Sequence, residues 1–148
     1  MLEDLFRLPF EFAVPDLLFV RELVGDLGDH LTSLGLRVAD LSPTELTRAT
    51  MVRRQRPNLS TPDTFAFAIA EARQWTLLTG DGGLRELATS VGLELHGILW
   101  IFDQLADGSH SGFDRLHAAL TTISEHPRCR LPTTEVRHRL NRFSTRTG

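Results

Sequence analysis

Three carboxylates in this sequence stand where chemistry is commonly placed. Glu22 lies about two turns into a helix that follows the first visible strand. Asp63 falls in the first turn of a later, alanine-rich helix beside Phe65, Ala66 and Phe67, and Asp81 follows a strand at 75–79, between Gly80 and Gly82. In a parallel α/β sheet, sites form at the carboxyl ends of strands, where loops lead into helices. Acids gathered there raise one another's pKa unless a cation is present. Carboxylates with water are the ligands that Mg²⁺ or Mn²⁺ prefers, and such an ion activates water and stabilises in-line attack on phosphorus. Each acid also has a plain structural use. Asp63 complements the positive end of its helix, worth about 0.3–1 kcal/mol, Asp81 is a frequent turn residue, and Glu22 reads equally as a solvated surface acid. Spacing alone leaves both readings open. Arg53, Arg54 and Arg56, just before Asp63, are in the same position: a groove leading phosphates to the acids, or a solvated helix end where positive charge is favourable.

The elements that must position these residues follow from hydrophobic periodicity, which alternates short strands with longer helices. The end of a helix is expected over 2–8, a strand over 10–14, and a helix over 16–24 that Pro15 is well placed to start. A helical patch surrounds Leu31, and a strand is expected over 36–41. Ser42-Pro43-Thr44-Glu45 then reads as a capping box with proline in the first turn, opening a helix to about Arg54. After a loop at 56–60, Thr61-Pro62 restarts a tightly packed central helix. Beyond the strand at 75–79 come a helix over 84–91 stopped by Gly92, a short strand over 93–95, helices over 98–106 and 113–124, and a basic helix opened by Pro132. Strands alternating with helices imply βαβ units, a parallel sheet and helices on both faces. The expected organisation is one α/β domain over 1–148, with 132–148 a basic C-terminal helix and tail. Trp75 and Trp100 are expected in its core.

Composition narrows the classes. The chain has 148 residues, 41% hydrophobic and 24% charged, ordinary values for one globular domain. A single cysteine, Cys129, excludes an intramolecular disulfide framework. The longest apolar runs are about five residues against the roughly 20 that span a bilayer, and the opening Met1-Leu2-Glu3-Asp4 is acidic where a signal peptide is basic. A cytoplasmic protein with no membrane segment is expected. The six histidines show no zinc-site spacing, and the glycines at 80–83 lack the Gly-Lys-Ser/Thr ending of a phosphate loop. All 16 basic residues are arginine. From Arg128 on, six arginines face one acid for a net +5, while ten arginines and 18 acids elsewhere give −8, together the −3 of the whole chain. A basic tail on an acidic body fits an anionic partner, since arginine grips phosphate bidentately. It fits a solvated helix equally.

Several segments together resemble the PIN-domain nucleases, and most of all the VapC-type toxins of bacterial toxin–antitoxin pairs. They are Ala13-Val14-Pro15-Asp16 running into Glu22-Leu23, Pro62-Asp63-Thr64-Phe65-Ala66 through Ala70-Glu71-Ala72, Leu77-Leu78-Thr79-Gly80-Asp81-Gly82-Gly83-Leu84-Arg85, and Gly92 through Gly97-Ile98-Leu99. The match covers nearly the whole chain in the family's order, and Leu-Leu-Thr-Gly-Asp is its most specific piece. The resemblance implies a three-layer α/β/α fold and a Mg²⁺- or Mn²⁺-dependent endoribonuclease acting on RNA, held inactive by a cognate antitoxin and often a homodimer. It assigns the family's carboxylates to Glu22, Asp63 and Asp81, with Thr79 as the supporting hydroxyl.

One departure matters. The family pattern begins with a hydrophobic strand ending in an aspartate, central in the sheet, and here Met1 already falls inside the helix that follows it. Asp4 and Glu3 lie on that helix rather than at a strand end. Two explanations are weighed, a start that lies upstream or a decayed, non-catalytic relative that acts as a dimerisation or antitoxin-binding module. In either case the strands expected at 10–14 and 75–79 either pair directly or stand apart. An extra strand of this chain between them is incompatible with the alignment.

Overall fold

Among the described residues, side-chain caps set three of the helix starts. In the computed structural model, which describes residues 2–127, 129 and 131–144, the elements run α1 (Leu2–Leu5), β1 (Ala13–Pro15), α2 (Asp16–Leu18), a π-helical turn (Phe19–Leu23), α3 (Asp26–Leu34), β2 (Arg37–Ala39), α4 (Pro43–Gln55) and α5 (Thr61–Arg73). They continue with β3 (Leu77–Leu78), α6 (Gly82–Ser90), β4 (Leu95–His96), α7 (Ile98–Asp107), α8 (Phe113–Glu125) and α9 (Thr133–Ser144). The capping box forms in full: the Glu45 N–H donates to the Ser42 hydroxyl (3.2 Å) and the Ser42 N–H to the Glu45 carboxylate (2.8 Å). Ser60 caps α5 by accepting the Asp63 N–H, and Asp81 caps α6 by accepting the Leu84 N–H. After α6, Gly92 has φ of 73°, the left-handed backbone that a side chain disfavours. Arg128, Arg130 and Arg146 of the basic tail lie outside the described residues.

The strands are parallel throughout, as the βαβ alternation requires, but they form two pairs rather than one sheet. β1 pairs with β2 (Ala13 with Arg37, Val14 with Val38, Pro15 with Ala39) and β3 with β4 (Leu77 with Leu95, Leu78 with His96). β1 and β3 both pack on α5 yet do not pair with one another. Of the two outcomes posed for these strands, they stand apart, and among the described residues no strand lies between them. The strands are also shorter than their apolar runs, two or three residues each.

Two compact units divide the chain. The first, Glu11–His96, holds both strand pairs around a core of Val52, Leu59, Phe67, Ala70, Leu77, Leu84, Leu87 and Ala88. α5 is its central helix: Phe67 and Ala68 are wholly buried, and Arg48 and Arg73 tie it to α4 through Glu71 and Glu45. Trp75 departs from expectation. It is 40% exposed, with the Arg73 guanidinium 5.1 Å from its ring centre, so a stacked cation covers an indole that sits outside the core. The other unit comprises the described residues of 1–10 and 97–148. In it the wholly buried Phe143 of α9 meets the rings of Phe102 and Phe113. Buried Asp4 of α1 accepts the Ser111 hydroxyl (2.9 Å) and Arg115 (3.2 Å), and Trp100 is half-buried against Phe10.

Candidate functional site

Asp63 lies in the first turn of α5, and Asp81 is the N-cap of α6. The loop before α5 touches the first turn of α6: a side chain at Gly83 would meet Asn58 Nδ2 at 3.0 Å, Leu59 Cδ2 at 3.2 Å and Asp81 Oδ2 at 3.4 Å. That contact sets the starts of α5 and α6 side by side, each carrying one acid. Asp63, half-buried in the first turn of α5, makes no hydrogen bond or ion pair through its carboxylate among the described residues. Asp81 uses one oxygen, Oδ2, to hold the Leu84 N–H at 2.8 Å, leaving the other open. Thr79 fixes the approach to that cap: its hydroxyl accepts the Asp81 N–H (3.1 Å), and its own N–H donates to the His96 carbonyl (3.0 Å) at the end of β4. The two helix starts add their partial positive charge to this corner.

Glu22 is placed differently. It lies exposed in the π-helical turn Phe19–Leu23, a feature that periodicity alone does not show. Single π turns are rare and are found disproportionately at functional sites. A close approach sits behind it, for a side chain at Gly28 would come within 2.2 Å of the Leu23 carbonyl and 2.8 Å of the Phe19 ring. Only glycine lets α3 pack there. Of the arginines before α5, Arg53 donates to the Thr61 hydroxyl at the start of α5, while Arg54 is exposed and Arg56 half-buried at the end of α4. The arginines of α9 are largely engaged. Arg139 grips Asp103 (2.8 and 3.0 Å) and Glu135 (3.0 Å), and Arg142 bonds Asp107 (2.7 Å), so within its described part the basic tail is a helix pinned to α7.

The chain belongs to the PIN-domain family, whose model matches residues 2–145. No curated protein and no solved structure matches it. The mostly helical chain with short parallel sheets is a PIN-like α/β/α fold, and membership carries the family's general character: nuclease-type function, RNA as partner and use of divalent metal ions. Among the described residues, no helix is long and apolar enough to cross a membrane.

The carboxylates are of the chemical kind that Mg²⁺ or Mn²⁺ takes. Among the described residues no three His, Cys, Asp or Glu groups come together, and Mg²⁺ is held by as few as one or two carboxylates with water completing its shell. The residues sequence reasoning overlooked are Asn58 and Ser60. The pair Gly82-Gly83 after Asp81 was the available signal, since glycine at a helix start marks a place where another segment comes close.

Proposed function

We propose that this chain is a ribonuclease of the toxin–antitoxin type, resembling VapC-type toxins, that hydrolyses RNA phosphodiesters with Mg²⁺ or Mn²⁺ and works in the cytoplasm as a homodimer restrained by a cognate antitoxin. Glu22, Asp63 and Asp81 are the proposed metal-binding and catalytic carboxylates, with Thr79 holding Asp81 in place and Arg53, Arg54 and Arg56 binding phosphate. The carrying observation, beside family membership, is the Asp63 carboxylate: half-buried, without a partner among the described residues, and in the first turn of the helix whose preceding loop touches the start of α6. Such a group serves as proton acceptor for an attacking water better than as a structural acid, which is ordinarily paired when partly buried.

The alternative reading is a non-catalytic PIN-like module that dimerises or holds an antitoxin. Incubating the chain with single-stranded RNA, with Mn²⁺ or with EDTA, separates the two. Cleavage that needs the metal and disappears in Asp63→Asn supports the nuclease. Undiminished cleavage in Asp63→Asn removes the proposed site, and no cleavage together with no calorimetric Mn²⁺ binding moves the assignment to the module.

A further inference from the structure

Asn58 carries a role that neither the family match nor the acids assign. It sits on the turn between α4 and α5, and both sides of that turn are fixed. The Arg56 N–H donates to the Val52 carbonyl (2.8 Å) and the Leu59 N–H to the Arg56 carbonyl (3.1 Å). Leu59 is buried in the core, and Ser60 caps α5. Between these anchors the Asn58 side chain is exposed and makes no hydrogen bond among the described residues. Its amide nitrogen nevertheless lies against Gly83, where a Cβ would stand 3.0 Å from it and 3.4 Å from Asp81 Oδ2. An exposed amide beside a candidate site, with both donor and acceptor unused among the described residues, is suited to a ligand that offers both in return.

We infer that Asn58 is a substrate-contacting residue, binding a neutral donor–acceptor group of the nucleotide seated next to Asp81. The inference rests on the ribonuclease reading above and adds to it the part of the nucleotide that is read. A phosphate offers only acceptors and negative charge, for which an arginine is the better partner. The amide matches instead the ribose 2′-hydroxyl or the edge of a base, each of which donates and accepts.

The test measures anisotropy of fluorescein-labelled single-stranded RNAs of A, C and U, and of their DNA counterparts, with the full chain in EDTA over a series of salt concentrations. Asn58→Ala is expected to weaken binding about tenfold, the effect of losing a pair of hydrogen bonds to substrate. The slope of affinity against salt should not change, because no charge is lost. With Mn²⁺ present, KM should rise while kcat holds, and the thermal midpoint should not move. Loss confined to RNA assigns the contact to the 2′-hydroxyl, and loss for one base in both RNA and DNA assigns it to the base edge. Wild-type affinity in Asn58→Ala overturns the inference while leaving the nuclease reading intact, as does a shallower salt slope, which marks a phosphate contact. Arg53→Ala is the positive control for such a slope, expected to fall by about one. A wild-type chain that binds none of these probes overturns both.

Discussion

Two carboxylates of this protein are buried and saturated, and two near the starts of α5 and α6 are left open. Asp4 and Glu45 are 3% and 4% exposed. Asp4 holds Ser111, Arg115 and Arg7, and Glu45 holds Ser42 and both nitrogens of the Arg73 fork. Among the described residues Asp63 binds nothing through its carboxylate, and Asp81 engages one oxygen. Burying a carboxylate costs several kcal/mol unless it is paired and hydrogen-bonded, so the first two are explained by folding alone. The open pair contributes little to folding that a neutral residue lacks, which is why function is sought there. The contrast predicts that substitutions will separate cleanly into those that change activity and those that change stability.

The largest effect expected falls on activity. Asp63→Asn should lower RNA cleavage by at least about 100-fold, the typical contribution of a positioned proton acceptor, with a melting temperature close to that of the wild type. Initial rates and a thermal melt on the same preparation check this. A variant that cleaves normally, or that melts early, places Asp63 with the structural acids.

Next comes the opposite phenotype. Glu45→Ala removes half a capping box and takes the carboxylate from the Arg73 guanidinium, which keeps the Asp40 carbonyl and is one-third exposed, so partly rescued by water. A loss of about 2–3 kcal/mol is expected from denaturant titration. RNA cleavage per folded molecule should stay unchanged, and a fall in it would join Glu45 to the site.

Acid should act through the same buried groups. The Ser111 hydrogen bond, with Arg115 and Arg7 adding, holds the Asp4 carboxyl below its ordinary 3.8 despite burial. Arg73, with Ser42, likewise holds Glu45 below 4.5. A carboxyl whose pKa is lower folded than unfolded stabilises the fold above the unfolded value and loses that contribution as pH falls through the folded one. Thermal midpoints should therefore be level in the neutral range and begin to drop below about 4.5. Glu45→Gln should flatten the upper part of the drop and Asp4→Asn the lower. An acid limb identical in both variants and the wild type would assign the loss to other carboxylates.

The same contrast explains what the sequence made legible. The capping box at Ser42 and Glu45, the first-turn position of Asp63 and the hydroxyl-supported Asp81 are set by neighbours three residues apart or fewer, and such local bonds can be read from spacing. The partners that saturate the buried acids are 28 residues away for Glu45 and Arg73 and 107 for Asp4 and Ser111. No local pattern encodes them. That β1 and β3 either pair or stand apart was legible, but which of the two was not: the apolar runs announce strands, pairing is decided across the chain, and α5 supports β1 and β3 without joining them. Trp75 was misplaced because composition cannot show that Arg73 lies over its ring.

The smallest effect is the most discriminating, because Asp81 belongs to both halves of the comparison. One oxygen caps α6 and the other is open. Asparagine caps a helix as well as aspartate, whereas alanine does not. Asp81→Asn should therefore stay within about 0.5 kcal/mol of wild-type stability while Asp81→Ala loses about 1 kcal/mol. Both remove the charge, so both should abolish cleavage to the same extent. Matching stability losses in the two variants would show that the cap contributes nothing. Cleavage retained in Asp81→Asn but lost in Asp81→Ala would show that the cap is all this residue contributes.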